Sequence, residues 1–312
     1  MAMKRLLLLL KPFNVSAPPP SQTHPQVLHF LDSRHKMHHE AVNFCQAIVK
    51  KKSVQWKAVL RNNLSEPIKD VDMVVTVGGD GTLLEASHYM DDTIPVLGVN
   101  SDPTRIEEVE KFSSEFDATR STGHLCAATV ENFEQVLDGI LEGQIVPSKL
   151  TRIMTSVNAH QLSTFALNDI LVAHPCPASL SRFSFSINSL APSPKTSPRV
   201  NCRSSGLRVS TAAGSTAAMH SAGGFPMHIL SQDLQYMVRE PISHGAVSDF
   251  MHGLVEHDQK MDTTWSSRRG VIYIDGSHVN YSIKNGDFIQ ISSKAPVLKI
   301  FLPHQLLQLK NT

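Results

Sequence analysis

The sequence predicts an α/β N-terminal domain over residues 1–147 and a mostly-β C-terminal domain over residues 148–312. Three observations carry this reading. In the first part, apolar strand-length runs alternate with amphipathic helix-length stretches, the pattern of a largely parallel sheet. In the second, short runs of period-two alternation are separated by turn dipeptides. The length of 312 residues suits about two domains, and 41% apolar content can supply a core for each.

The elements follow in order. Met1-Ala-Met-Lys-Arg begins like a signal peptide, but the apolar run after it is five leucines ending at Lys11-Pro12. A signal h-region needs roughly 7–15 apolar residues, so a buried first strand over residues 6–10 is expected instead. A Pro/Ser loop at Pro18-Pro-Pro-Ser-Gln22 precedes a helix over residues 25–51. Next come a strand over residues 72–77, a glycine turn, and a helix over residues 83–90. Thr82 and Glu85 have capping-box spacing, which would start that helix. A strand follows over residues 94–99. Thr129 then caps a helix whose apolar face is Phe133, Val136, Leu137, Ile140 and Leu141, with Gly143 just past its end.

In the second part, Arg182-Phe-Ser-Phe-Ser-Ile-Asn188 alternates, with Phe183, Phe185 and Ile187 on one face. Asp275-Gly276 and Asn285-Gly286 read as two-residue hairpin turns joining strands over residues 271–274, 279–283 and 288–291. The prolines of residues 191–199 exclude a strand interior there and suggest an exposed loop tip. Together these short strands suggest a sandwich. The last strands, residues 295–302, stay open as a return to the first domain.

Composition narrows the function. A net charge of +1 offers no basic field for nucleic acid, so any polyanion must be gripped locally. Cys45, Cys126, Cys176 and Cys202 show no paired spacing, which favours a reducing compartment and free thiols. No stretch approaches the roughly 18 apolar residues of a membrane span, and the expected location is cytoplasmic. His35, His38 and His39 cluster without a second ligand pair nearby, so a solvated helix face is expected rather than zinc.

The chemistry concentrates at Gly78-Gly79-Asp80-Gly81-Thr82, between strand and helix. Backbone N–H groups and a positive helix end converge there on a point where phosphate can bind. Missing Cβ atoms at Gly78 and Gly79 allow close approach. Asp80 would be repelled by bound polyphosphate unless it serves it, by taking a proton from an attacking hydroxyl or by holding the nucleotide's magnesium. A P-loop, a dinucleotide G-x-G-x-x-G and a protein-kinase catalytic loop are all absent from the sequence. Thr211-Ala-Ala-Gly-Ser-Thr-Ala217 is a small, hydroxyl-rich turn that reads equally as a ligand platform or a tight packing turn. Asn168-Asp169, set in an otherwise apolar strand over residues 165–172, needs hydrogen-bond partners. A ribose diol, an adenine edge or local backbone would each serve.

Gly78–Thr82, Asn168-Asp169 and the block Gly206-Leu-Arg-Val-Ser-Thr-Ala-Ala-Gly-Ser-Thr-Ala217, followed by Ala222-Gly-Gly224, together resemble the three signature blocks of the NAD kinases, over roughly residues 70–302. Val96-Leu-Gly-Val-Asn-Ser-Asp-Pro-Thr104 and Ser121-Thr-Gly-His-Leu-Cys-Ala-Ala128 are similar to the plant NADH kinase branch. The resemblance implies a Rossmann-like first domain, a β-sandwich second domain and transfer of the ATP γ-phosphate to the 2′-hydroxyl of the adenosine ribose of NADH or NAD+. It implies that Asp80 accepts the proton, with Gly78, Gly79, Gly81 and Thr82 on phosphates. Asn168, Asp169, Thr211, Gly214, Ser215 and Thr216 would hold the dinucleotide. ATP with Mg2+ as its companion ion, and a homodimer, are also implied.

Three departures from that family's common pattern concern the dinucleotide. Ser101-Asp-Pro-Thr-Arg-Ile106 stands where many members have Gly-x-Leu-Gly-Phe, Ala218 stands for a tyrosine, and Ser205 stands for an aspartate. Retained chemistry with a preference for NADH is the resulting expectation. A lipid kinase shares the Gly-Gly-Asp-Gly-Thr turn but would need a membrane-docking stretch, which residues 148–312 lack. A non-catalytic dinucleotide sensor would have no use for an intact Asp80.

Overall fold

The computed structural model describes residues 3–12, 25–190, 197–242 and 249–308. The loop expected at residues 18–22, residues 191–196 of the expected loop tip and the C-terminal residues 309–312 lie outside the described residues. The chain divides into two compact units, the first of residues up to Ser148 with Lys299–Gln308, the second built on Lys149–Leu298.

The first unit runs β1 (Arg5–Leu10), α1 (Pro25–Lys51), β2 (Gln55–Leu60), β3 (Met73–Gly78), α2 (Asp80–Ser87), β4 (Val96–Asn100), α3 (Ile106–Phe112), β5 (Ala128–Thr129) and α4 (Phe133–Leu141). Strands β1, β3 and β4 are mostly apolar because helices or loops cover both faces of a parallel sheet. Every residue of β3 and β4 is buried accordingly. The leucines of β1 face β3 in parallel register, Leu6 opposite Met73 and Leu10 opposite Val77. Helix α1 buries Phe30, His38, Ala41, Val42, Cys45, Ile48 and Val49, one stripe at helical spacing. His38 is therefore a buried residue, against the solvated face expected for it; His39 stays exposed.

Two caps differ from expectation. Helix α2 begins at Asp80, with Gly79 as its N-cap, so Thr82 lies inside the first turn and makes no capping box. Glu85 pairs with Arg61 instead, at 3.1 Å. The glycine turn leads straight from strand to helix and leaves no room for a separate cap. At α4 the residue before the helix is Asn132, whose side chain accepts the Thr129 amide at 2.8 Å. Gly143 sits beyond that helix at φ +76°, as a terminating glycine does.

Along β6 (Ser148–Leu150) the chain enters the second unit. There β7 (Met154–Val157), β8 (His160–Gln161), β9 (Asp169–Ala173), β10 (Ser181–Ser189), β11 (Val200–Ser204) and β12 (Gly206–Ser210) precede a 3-10 turn, Ala213–Thr216, and α5 (Ala218–Ser221). Strands β13 (Leu234–Arg239), β14 (His252–Val255), β15 (Gln259–Trp265), β16 (Arg269–Ile274), β17 (Val279–Lys284) and β18 (Phe288–Ser292) follow. They form two six-stranded sheets, β11-β10-β15-β18-β7-β8 and β14-β13-β12-β9-β16-β17. Phe183, Phe185, Trp265, Ile289 and Ile291 of one sheet share a core with Ile170, Val172, Leu207, Val209 and Ile272 of the other.

Both expected hairpin turns need correction. Ile274 pairs with Val279, so residues 275–278 form a four-residue turn rather than a two-residue one. Asn285-Gly286 makes no hairpin: it joins β17 of one sheet to β18 of the other. Ile289 and Ile291 reach the shared core only from that second sheet. Finally β19 (Leu298–Phe301) lies parallel to β4, with Ile300 opposite Val96, and α6 (His304–Gln308) ends the described chain. The first sheet thus includes β2-β1-β3-β4-β19, with β5 beside β4.

Candidate active site

Two groups of residues arise, one in each unit. In the first, β3 delivers Gly78 and Gly79 to the head of α2, where Asp80 stands at the first helical position. The amide of His124 donates to Asp80 Oδ2 at 2.8 Å and that of Leu125 to Oδ1 at 2.9 Å. Two weaker donors complete the shell, Thr122 Oγ1 at 3.4 Å and Cys126 Sγ at 3.7 Å. Burial, with Asp80 beside it, pushes the Cys126 thiol well above its usual range, so it stays protonated. A carboxylate has about four acceptor positions. The two short bonds orient Asp80, and the two longer contacts hold it more loosely.

The structure adds a second reason for the glycines. A Cβ on Gly78 would collide with the Thr82 hydroxyl, and one on Gly79 with the Ser121 hydroxyl. Gly81 is exposed, with only Arg61 Nη1 near its Cβ position, at 3.9 Å. Thr82 is buried and its Oγ1 has no partner among the described residues.

The loop beside Asp80 comes from later in the chain. After β4 the chain leaves on an excursion that carries α3 and closes on itself. Ser121 N donates to Asp102 O at 3.1 Å and Thr104 N donates to Ser121 O at 3.1 Å. The segment lying against Asp80 is therefore residues 121–125, and Ser101–Ile106 is the start of the excursion. Gly123 gives this loop its turn, at φ +61°, with Asn100 filling the space where a Cβ would be. Buried Asp102 ties the excursion down by accepting from Arg120 Nη1 at 2.6 Å and Arg34 Nε at 3.0 Å.

In the second unit, Asn168 precedes β9 and Asp169 begins it, instead of both lying inside a strand. The Asp275 carboxylate accepts three successive amides, from Leu167 at 2.8 Å, Asn168 at 2.7 Å and Asp169 at 3.0 Å. The Thr211 amide donates to Asn168 O at 2.9 Å, and its hydroxyl donates to Leu167 O. A Cβ on Gly214 would strike the Asn168 carbonyl, so strand start and turn are in direct contact. Asp169 forms an ion pair with Arg208. Burial still raises its carboxyl to about 6, opposed by Arg208 and assisted by Asp275. Asn168 Oδ1 and Arg208 Nε are buried without partners among the described residues. Buried polar groups of this kind call for partners.

Thr216 is exposed at the end of the 3-10 turn. Ser215 differs: its hydroxyl donates to Ala212 O at 2.7 Å and accepts from Met227 N at 2.9 Å, which is a packing role. Sequence reasoning missed Asp275, Arg208 and the 124–125 amides. Arg208 and residues 124–125 stood inside segments that resemble the family, without a role of their own, and Asp275 in a turn, where it adopts φ +49°.

A carboxylate at a glycine-lined helix head beside a parallel sheet is an arrangement that binds nucleotide phosphates. A family model described as ATP-NAD kinase N-terminal domain matches residues 8–106. The NADH kinase of Arabidopsis thaliana is 60% identical over 320 residues, covering 100% of this chain and 99% of that protein. The probable NADH kinase of Oryza sativa subsp. japonica is 54% identical, covering 99% of each. Among solved structures, yeast NADH kinase complexed with NADH superposes with a TM-score of 0.69 at 15% identity, over 97% of this chain and 84% of that one. An NAD kinase from Archaeoglobus fulgidus in complex with ATP gives 0.65 at 19% identity, over 97% and 95%. The chain belongs to the NAD kinase family.

Proposed function

We propose that this chain transfers the γ-phosphate of ATP to the 2′-hydroxyl of the adenosine ribose of NADH, giving NADPH, and uses NAD+ less well. The observation that carries the reading is the Asp80 carboxylate, oriented by the His124 and Leu125 amides at the head of α2. The ribose hydroxyl replaces the Thr122 donor and gives its proton to Asp80 as its oxygen bonds to the γ-phosphorus. The bond from that phosphorus to the β–γ bridging oxygen breaks and ADP leaves. Such transfer asks the protein mainly for positioning and charge neutralisation.

Gly78, Gly79, Gly81 and Thr82 then carry phosphates, while Asn168, Asp169, Thr211, Gly214 and Thr216 receive the dinucleotide. In these roles the first unit is a Rossmann-like nucleotide domain and the second a sandwich for the dinucleotide. Among the described residues no three His, Cys, Asp or Glu side chains gather as a metal site. Magnesium would enter as the companion ion of ATP, and no step is assigned to it. A homodimer and a cytoplasmic location complete the proposal; no helix among the described residues is long and apolar enough to cross a membrane. Neither a lipid kinase nor a sensor is favoured by relatives that share the full length of the chain.

Purified protein supplied with ATP and either dinucleotide tests the reading through NADPH or NADP+ formation. A higher kcat/KM for NADH is expected. Absence of a phosphorylated dinucleotide would end the proposal, and a clear preference for NAD+ would end its NADH part.

A further inference from the structure

We propose that Lys11, Arg34 and His35 form a phosphate contact beside the glycine turn that holds the end of the donor triphosphate. The inference rests on the donor reading above and adds residues that the signature blocks leave out.

Lys11 is the first residue after β1, and its amide donates to Val77 O at 3.0 Å. Its side chain begins against the turn: a Cβ on Gly78 would lie 3.2 Å from Lys11 Cβ. Lys11, Arg34, His35, His38 and Asp102 line a cavity of about 50 Å³, the scale of one small polar group. Arg61 Nη1 lies 3.9 Å from the Cβ position of Gly81 in the same turn.

The charges around this cavity do not balance. Asp102 is its lining carboxylate, and it is already shared between Arg34 and Arg120. Arg61 is paired with Glu85. Among the described residues no carboxylate lies within salt-bridge distance of Lys11. Burial lowers the Lys11 ammonium from its usual range, then Arg34 lowers it further against the pull of Asp102, with Arg61 adding to the fall. His38 is held down chiefly by burial, and its ring bonds Ser101 Oγ at 2.7 Å and Lys11 O at 3.0 Å. His35 Nε2 is buried and has no partner among the described residues. A half-buried ammonium beside guanidinium groups costs free energy that an anion would recover. The nearest anion expected on this turn is the triphosphate, and ammonium and guanidinium groups both suit phosphate oxygens.

Lys11 could instead be a stem lying over apolar surface with its head in water. Kinetics separates the two. In Lys11→Met the KM for ATP should rise about tenfold or more while the KM for NADH stays within about twofold; Lys11→Arg should recover most of the loss. His35→Gln, at a partly exposed position, should raise the KM for ATP about threefold without lowering the melting temperature. Calorimetry with inorganic tripolyphosphate tests the pocket independently of turnover, since binding should be present in the wild type and weakened in Lys11→Met and His35→Gln. An unchanged KM for ATP in Lys11→Met, a rise in the KM for NADH instead, or tripolyphosphate binding indifferent to these residues would overturn the inference. Tripolyphosphate binding lost in Lys11→Met, in a wild-type protein that makes no NADPH, would keep the pocket and reject the functional reading.

Discussion

The backbone amide of His124 donates to Asp80 Oδ2 at 2.8 Å, and the next amide, of Leu125, reaches Oδ1 at 2.9 Å. Residues more than forty positions away thus orient the carboxylate read as the proton acceptor. In Asp80→Asn one oxygen becomes an NH2 group, which cannot take a proton and faces an amide donor. Turnover should fall about 10²–10⁴-fold, the usual contribution of a positioned base. NADH affinity, measured by fluorescence titration, should change little. The unpaired loop amide should cost about 1–3 kcal/mol of stability, visible as a lower melting temperature. Activity above a tenth of wild type would show that Asp80 is not the base.

Gly79 and Ser121 offer a paired test of the turn. Backbone angles of φ −124° and ψ −166° at Gly79 are open to alanine, so only the Ser121 side chain opposes a Cβ there. Gly79→Ala should push Ser121 outward, displace the loop that grips Asp80 and lower kcat by about tenfold or more. Adding Ser121→Gly removes the obstacle and should restore most of that loss. A double variant no better than the single one would mean that the turn tolerates no side chain for another reason, such as phosphate approach.

What was legible in the sequence follows a physical rule. Strands β1, β3 and β4 could be read because burial on both faces writes a mostly apolar run. The glycine turn could be read because Gly78, Gly79 and Gly81 have no side chains to offer for packing. The loop at 121–125 was hidden, because its contact with Asp80 depends on an excursion closed by Asp102, Thr104 and Ser121. His38 looked like a surface residue because its partner Ser101 lies 63 positions away. Asn285-Gly286 marks a reversal, but a dipeptide cannot say which sheet the next strand joins.

Asp275 has a structural job that its place in a turn conceals. One carboxylate satisfies three successive amides at the start of β9, those of Leu167, Asn168 and Asp169. Asp275→Ala strands these donors, each worth about 1–3 kcal/mol when buried and unmet. The melting temperature should fall by several degrees, since about 1 kcal/mol corresponds to ~2–4 °C in a domain of this size. The KM for NADH should rise because Asn168 and Asp169 lose their anchor, with kcat less affected. Asp275→Asn, which keeps one acceptor, should fall between. An unchanged melting temperature in Asp275→Ala would contradict the anchoring role.

The Asp169 carboxyl, raised to about 6 chiefly by burial, gives dinucleotide binding a pH dependence of definite sign. In the dinucleotide role proposed above, the ionised carboxylate would accept hydrogen bonds from ribose hydroxyls while pairing with Arg208; protonation removes the charge that holds the ion pair and leaves fewer acceptor positions. The KM for NADH should therefore rise as pH falls through about 6, approaching a tenfold change per unit below it if only the ionised form binds. Stability runs the other way. The folded protein holds this proton more tightly than the unfolded chain, whose carboxyl titrates near ~3.9, so the stabilisation from that proton is full below about 4 and is lost as pH rises through about 6. In Asp169→Asn the KM profile should become flat between about pH 5 and 7, at a uniformly higher value because an amide accepts fewer bonds. If the rise at low pH persisted in Asp169→Asn, another group would be responsible and the second unit's strand start would lose its place in binding.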